Sequence, residues 1–174
     1  MKPTRIKIQP FSDVNPDLIQ YLKERLSSQF GWVVRILETQ KIPPGSYDRD
    51  RGQYLSHSFL RKMEEDRKGE DYNLGVVDED LFVPRLNFVF GTALPSSKIA
   101  VISVTRLKQE FYGGSSDENT YRERVLKEAI HELGHLFGLD HCPDPYCVMH
   151  FSNSLQDTDR KTSSFCSICS NKIP

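Results

Sequence analysis

Apolar and polar residues alternate through Arg5-Ile6-Lys7-Ile8-Gln9, the period-two pattern of a short strand. Asn15-Pro16-Asp17 then supplies a capping side chain, a proline at the first helical position and a first-turn acid, so a helix is expected to run to about Phe30. Leu18, Ile19, Leu22 and Leu26 form one stripe on it while Lys23, Glu24 and Arg25 face water, as on a helix laid against a sheet. A second strand is expected at Val33-Val34-Arg35-Ile36-Leu37. Ile42-Pro43-Pro44-Gly45-Ser46 reads as a loop, with Asp48 to Gly52 as its charged, mobile continuation. Leu55, Phe59, Leu60 and Met63 share one side of a helix predicted over Tyr54 to Arg67. His57 lies alone on that helix, which favours a solvated or locally bonded side chain over a metal ligand.

Three more strands are expected, at Asn73 to Asp78, Asn87 to Ala93 and Lys98 to Val104. Strands that first alternate with helices and then follow one another argue for an α/β fold with a mixed sheet. The last of the three is apolar throughout and is placed centrally. The segment around Phe88, flanked by Pro84 and Pro95 and holding Gly91, is placed at an edge. Lys108 to Asn119, with Gly113-Gly114-Ser115-Ser116, reads as a flexible loop whose glycines do not follow a phosphate-cradle pattern. It feeds a final helix on which Tyr121, Val125, Ala129, Ile130, Leu133, Leu136 and Phe137 recur at three- and four-residue intervals. No repeat or low-complexity tract interrupts the chain, so residues 1–174 are expected to form a single domain.

The 174 residues are 37% hydrophobic and 10% aromatic, enough for one core. Lys and Arg total 23 against 24 Asp and Glu, a net charge of −1, so the basic field that nucleic acid needs is missing. No apolar run approaches the ~18–20 residues that span a bilayer, and the start MKPTRIKIQPF lacks the apolar core of a secretory signal. The expectation is a cytoplasmic monomer with neither a nucleic-acid nor a membrane partner.

The final helix carries the chemistry, in His131-Glu132-x-x-His135-x-x-Gly138-x-x-His141. Residues four apart on a helix share a face with Cβ atoms ~5–6 Å apart, so His131 and His135 can grip one ion. Gly138 stands where a helix end favours positive φ, a reversal that swings His141 toward the same ion. Three neutral imidazoles leave zinc an open tetrahedral position for water, the mark of a catalytic site. Glu132 projects to the other side of the first ligand and reads as the general base for amide hydrolysis. A surface helix can carry two histidines four apart by chance. With the two further fixed positions, a chance match falls to the order of one in a hundred thousand at average residue usage.

Cys142-x4-Cys147 and Cys166-x2-Cys169 are two close pairs, the layout of a closed four-thiolate zinc site. Two disulfides or redox thiols are the alternative, weighed against by a reducing compartment. Met149, soon after His141, is either a core filler or the base of the metal site, and its spacing favours the second. Two zinc ions per chain are therefore expected, one catalytic within 131–149 and one structural within 142–169.

These residues carry a resemblance. His131 to His141 with a downstream methionine is the motif of metzincin metalloproteases, and with Cys142, Cys147, Met149, Cys166 and Cys169 the chain resembles the archaemetzincins. The resemblance, specific over residues 131 to 169, implies a three-layer α/β/α domain with a mixed twisted sheet and an antiparallel edge strand. It also implies His131, His135 and His141 as catalytic zinc ligands, Glu132 as base, Met149 in a Met-turn, and the four cysteines on a second zinc. By the same analogy a peptide or protein substrate would lie extended along Phe88, Val89, Phe90, Gly91, Thr92 and Ala93. Two departures stand out: Phe151 occupies a position where several metzincin families have tyrosine, and with the first strand expected almost at Met1 a latency segment is not expected.

The leading expectation is a zinc-dependent peptidase, with short peptides or free amino ends, as for an aminopeptidase, as its candidate targets. The runner-up is a non-catalytic peptide- or protein-binding module that retains the zinc sites, and a zinc-ribbon nucleic-acid binder comes third. Glu132 argues for catalysis, and the near-neutral charge argues against nucleic acid.

Overall fold

Residues 4–174 are described by a computed structural model. In chain order the elements are β1 (Thr4–Pro10), α1 (Pro16–Phe30), β2 (Val33–Ile36), β3 (Tyr47–Asp48), β4 (Gln53–Leu55), α2 (Ser56–Asp66) and β5 (Tyr72–Val77). They continue with β6 (Leu81–Phe82), β7 (Gly91–Leu94), β8 (Ile99–Ser103), α3 (Glu118–Leu136), α4 (Leu155–Arg160) and α5 (Ser167–Ser170).

Alternation along the strands sets the layers. Ile6, Ile8, Leu74, Val76, Ala100 and Ile102 point into a core shared with Leu18, Leu22 and Leu26 of α1 and Val125, Ala129 and Leu133 of α3. Val77, Ile99 and Val101, with Phe11, point the other way against Phe59, Leu60 and Met63 of α2. The result is an α/β/α sandwich around a mixed sheet in the order β2-β1-β5-β8-β7. The first four strands are parallel and β7 is antiparallel to β8, with its other side unpaired among the described residues. Among the described residues, no helix is long and apolar enough to cross a membrane.

The expected start of α1 is present, with Asn15 Oδ1 accepting from the Asp17 N–H at 2.9 Å. Several other expectations change. Tyr54 and Leu55 belong to a strand, because they pair with Leu81 and Phe82 of β6, a two-residue strand too short to show a period. Asp48 to Gly52 is a tight turn and not a mobile loop. Asp48 Oδ1 accepts from the Asp50 and Arg51 N–H groups at 3.0 and 3.1 Å. The Arg51 guanidinium lies 4.1 Å from the Phe82 ring centre and donates to the carbonyls of Leu86 and Asn87.

Those contacts also explain why the edge strand begins only at Gly91. Arg51 and Gln53 claim the Leu86 and Asn87 carbonyls, leaving residues 87–90 as a rim joined to the sheets by single bridging contacts. β8 is wholly buried yet lies fourth in the sheet, since helices cover both its faces; the middle strand is β5.

Much of Lys108 to Asn119 is likewise ordered, through the 3-10 turn Gln109–Tyr112 and the first residues of α3. Buried Arg124 fixes it, donating to the Leu107 carbonyl at 3.1 Å and Gln109 Oε1 at 3.2 Å, and to both Asp159 oxygens at 2.7 Å. Arg124→Ala should therefore lower stability by about 1–3 kcal/mol, the scale of losing hydrogen bonds to a charged group. Urea unfolding monitored by circular dichroism measures it, and a change within error would mean the loop is held by other contacts.

Candidate metal centres and active-site cleft

α3 presents His131 and His135 from successive turns, and Gly138 at φ +91° reverses the chain as expected. His141 returns to the same point. Ring centres are 4.7 Å apart for His131 and His135, 5.3 Å for His131 and His141, and 5.0 Å for His135 and His141. His131 Nδ1 donates to the Val148 carbonyl and His135 Nδ1 to the Leu139 carbonyl, each at 2.8 Å. A carbonyl only accepts, so Nδ1 bears the hydrogen in both rings and Nε2 offers a lone pair. The two Nε2 atoms stand 3.1 Å apart. Two lone pairs facing each other repel unless a cation lies between them. Tetrahedral zinc with ~2.0–2.1 Å bonds sets its nitrogens ~3.3 Å apart, so the donor set fits that ion.

The second cluster gives the same result. The sulfurs of Cys142, Cys147, Cys166 and Cys169 lie within 4.8 Å of one another and are unbridged. Cys142 and Cys166 Sγ are 3.8 Å apart, the spacing that ~2.3 Å zinc–sulfur bonds give around a tetrahedron, ~3.8 Å. The Cys166 N–H donates to Cys147 Sγ at 3.3 Å. The Cys169 N–H helps hold the Cys166 thiol down at about 7. Such donors favour the thiolates a metal requires.

The clusters share one stretch of backbone. Cys142 follows His141, and its N–H donates to the Met149 carbonyl at 2.9 Å. Met149 is fully buried with its sulfur over Gly134, where an added Cβ would stand 2.2 Å from Sδ and 3.2 Å from the Phe165 ring. Gly134 is a motif position that the spacing left unassigned, and only this packing reveals its role.

A cleft of about 970 Å³ runs beside the histidines. All six residues from Phe88 to Ala93 line it, facing Glu128, His131, Glu132 and His135 of α3, with Phe151 to Asn153 beyond. His57 sits in the cleft wall, outside the histidine cluster. Phe151 lies 5.2 Å from the His141 ring and brings no hydroxyl. Glu132 is only 4% exposed. Its Oε2 is buried without a partner, while a Cβ at Gly91 would meet its Oε1 at 2.8 Å. Gly91 thus makes room for the carboxylate.

Two further groups escaped the sequence reading. Glu128, one turn before Glu132, and Lys161, at the end of α4, are 4% and 1% exposed. The Lys161 ammonium donates to the His150 carbonyl at 3.2 Å and comes within 3.4 Å of His131 Nδ1. Burial, then the neighbouring Glu128, pushes the Glu132 carboxyl well above the usual range, and burial pushes the Lys161 ammonium below its own. Sequence gave no signal for either beyond a charge on the inner face of an amphipathic helix and a lysine in a polar tail.

The sequence model of peptidase family M54 matches residues 7–174. The chain belongs to that family. Archaemetzincin of Pyrococcus furiosus is 44% identical over 97% of this chain and 91% of its own length. The crystal structure of archaemetzincin from Archaeoglobus fulgidus complexed with malonate superposes with a TM-score of 0.86 at 41% identity, covering 98% of this chain and 100% of that one. A zinc-dependent peptidase from Methanocorpusculum labreanum gives 0.86 at 32% identity, covering 97% and 100%. As an M54 member the chain is a zinc metalloprotease, and its mixed α/β sandwich is the archaemetzincin fold.

Replacing Gly134 by alanine tests the methionine packing. Alanine gains ~1 kcal/mol of helix propensity, but overpacking a filled core costs ~1–3 kcal/mol. The net effect should be destabilising, read as a lower denaturant midpoint; a stabilised variant would show that Met149 yields freely. A second expectation concerns pH. Burial holds the three imidazoles below the ordinary value of 6.5, so as pH falls the unfolded chain takes up protons first. Their contribution to the stability of the metal-free protein is complete above pH 6.5 and is lost below it. Melting temperatures across that range give the combined effect, and comparison with His131→Gln gives the share of His131.

Proposed function

We propose that the protein hydrolyses peptide bonds in an extended segment laid along β7, with Glu132 as general base and two zinc ions per chain. The observation that carries the reading is the buried, unpartnered Oε2 of Glu132 in the same cleft as His131 and His135, whose Nε2 atoms converge. An orphaned buried acceptor costs ~1–3 kcal/mol, a penalty that a reacting water would relieve. Zinc held by His131, His135 and His141 would polarise the scissile carbonyl and lower the pKa of a water toward ~7.

The residues of the chain supply the rest. Glu132 takes a proton from the attacking water as its oxygen bonds to the carbonyl carbon, then returns that proton to the leaving amine as the C–N bond breaks. Gly91 keeps the carboxylate close to the substrate path. The unpaired side of β7 offers N–H and C=O groups that an extended backbone can complete as an added strand. Phe88, Val89 and Phe90 supply the apolar wall ahead of it. Cys142, Cys147, Cys166 and Cys169 would hold the second ion with all four thiolates, tying down the turn that carries Met149.

Glu132→Gln should keep both zinc ions and lose activity on a peptide library by ~10²–10⁴-fold or more. His135→Ala should lose the ion at the histidines, and Cys166→Ser with Cys169→Ser the other ion together with thermal stability. Elemental analysis and mass-spectrometric digests read both. Fully zinc-loaded wild type that cuts nothing would replace this reading with a peptide-binding module.

A further inference from the structure

Along the rim of the cleft, Phe88 is the residue that the backbone does not secure. The Val89 N–H donates to the Leu81 carbonyl at 2.9 Å, and the Phe90 carbonyl accepts from the Ser103 N–H at 2.8 Å. The Leu86 and Asn87 carbonyls are taken by Arg51 and Gln53. Phe88 makes no backbone hydrogen bond among the described residues, so its position rests on its ring.

A guanidinium holds that ring. Arg106, just past β8, has its Cζ 4.3 Å from the Phe88 ring centre and 4.8 Å from that of Phe111, while Phe90 meets Phe88 at 5.1 Å in an edge contact. Asp80 accepts from the guanidinium at 2.6 and 2.8 Å, and from Gln53 at 3.1 Å. Gripped at two points, the flat group is a fixed seat for an aromatic ring, and the paired carboxylate offsets its charge. Phe88 is half-buried and lines the cleft, whereas Arg106 does not reach it. Apart from Asn87, this end of the cleft is apolar, formed by Val83, Leu86, Phe88, Val89 and Phe90. The opposite end is charged: Ser97, just past β7, donates to Glu64, and Arg61 lies one turn earlier on α2.

Resting on the reading that an extended peptide lies along β7, we propose that the rim end of the cleft receives a large apolar side chain of the substrate, and that Arg106 is the positioning residue that holds Phe88 as its wall. Burying such a side chain against a fixed wall favours it over alanine by ~10–100-fold. A ring free to turn would fill the space itself or leave it open. Selectivity therefore depends on the seat as well as on the ring.

The test uses peptide pairs that differ only in leucine or alanine at one position, with that position scanned along the peptide. Cleavage is measured on zinc-loaded full-length wild type, and binding by calorimetry on zinc-loaded Glu132→Gln. Leucine should be preferred ~10–100-fold at one position. Phe88→Ala should bring that ratio close to one. Arg106→Lys keeps a charge for Asp80 but loses the flat face, and should lower the ratio ~2–5-fold, through KM with kcat retained. With Phe88→Ala already present, Arg106→Lys should change the ratio no further, because it acts through that ring. Comparing two peptides on one protein cancels any loss of folded or zinc-loaded enzyme. A wild-type ratio near one at every position overturns the proposal. So does an Arg106→Lys ratio equal to that of the wild type, or an equal fall in the Phe88→Ala background, which would make Arg106 a support of the whole rim. If the leucine peptides bind selectively but zinc-loaded wild type cuts nothing, the hydrolytic reading falls and the apolar pocket stands.

Discussion

One turn of backbone, from His141 to Met149, is the constraint on which the rest of the site depends. It provides the last histidine and the first two cysteines, the carbonyl of Val148 that sets the tautomer of His131, and the sulfur that fills the hollow over Gly134. Its ends are tied by the hydrogen bond from the Cys142 N–H to the Met149 carbonyl. Neither metal cluster can move without carrying the other along. The cysteine cluster thus shares its backbone with the histidine cluster, on a turn whose Cys147, Val148 and Met149 are buried in the main core.

The sheet supplies the other half of the arrangement. Four parallel strands covered by helices on both faces give a rigid platform, and the single antiparallel strand at its margin faces the histidines across the cleft. The small second sheet β3-β4-β6 looked like loop and helix in sequence, and its task is to hold the rim in place. Arg51 and Gln53 do so by taking up the carbonyls that would otherwise extend β7.

What could be read from the sequence followed the physics of repetition. Period-two and period-3.6 patterns located the major strands and α1 and α3, and the fixed spacing of histidines and cysteines located both clusters before any coordinates. What escaped was set by distant partners. Tyr54 and Leu55 look helical until Leu81 and Phe82 pair with them. Lys108 to Asn119 looks flexible until Arg124, buried on α3, reaches the Leu107 carbonyl just before it and the Gln109 side-chain amide within it. Glu128 and Lys161 look like solvated charges, because no local pattern shows that the chain, after 32 intervening residues, returns to bury them together.

The open margin of β7 has one more consequence. Exposed strand edges invite pairing between copies of the same protein, and long flat ones seed aggregates. Here the edge is four residues long and lies between a helix wall and the rim at Phe88 to Phe90. A second folded sheet would have to pass that rim to pair with it, whereas a single extended chain would need only the cleft itself. If a peptide does bind there, as proposed, the same recess would sort its visitors by shape, admitting extended segments and turning folded domains away before any side chain is read.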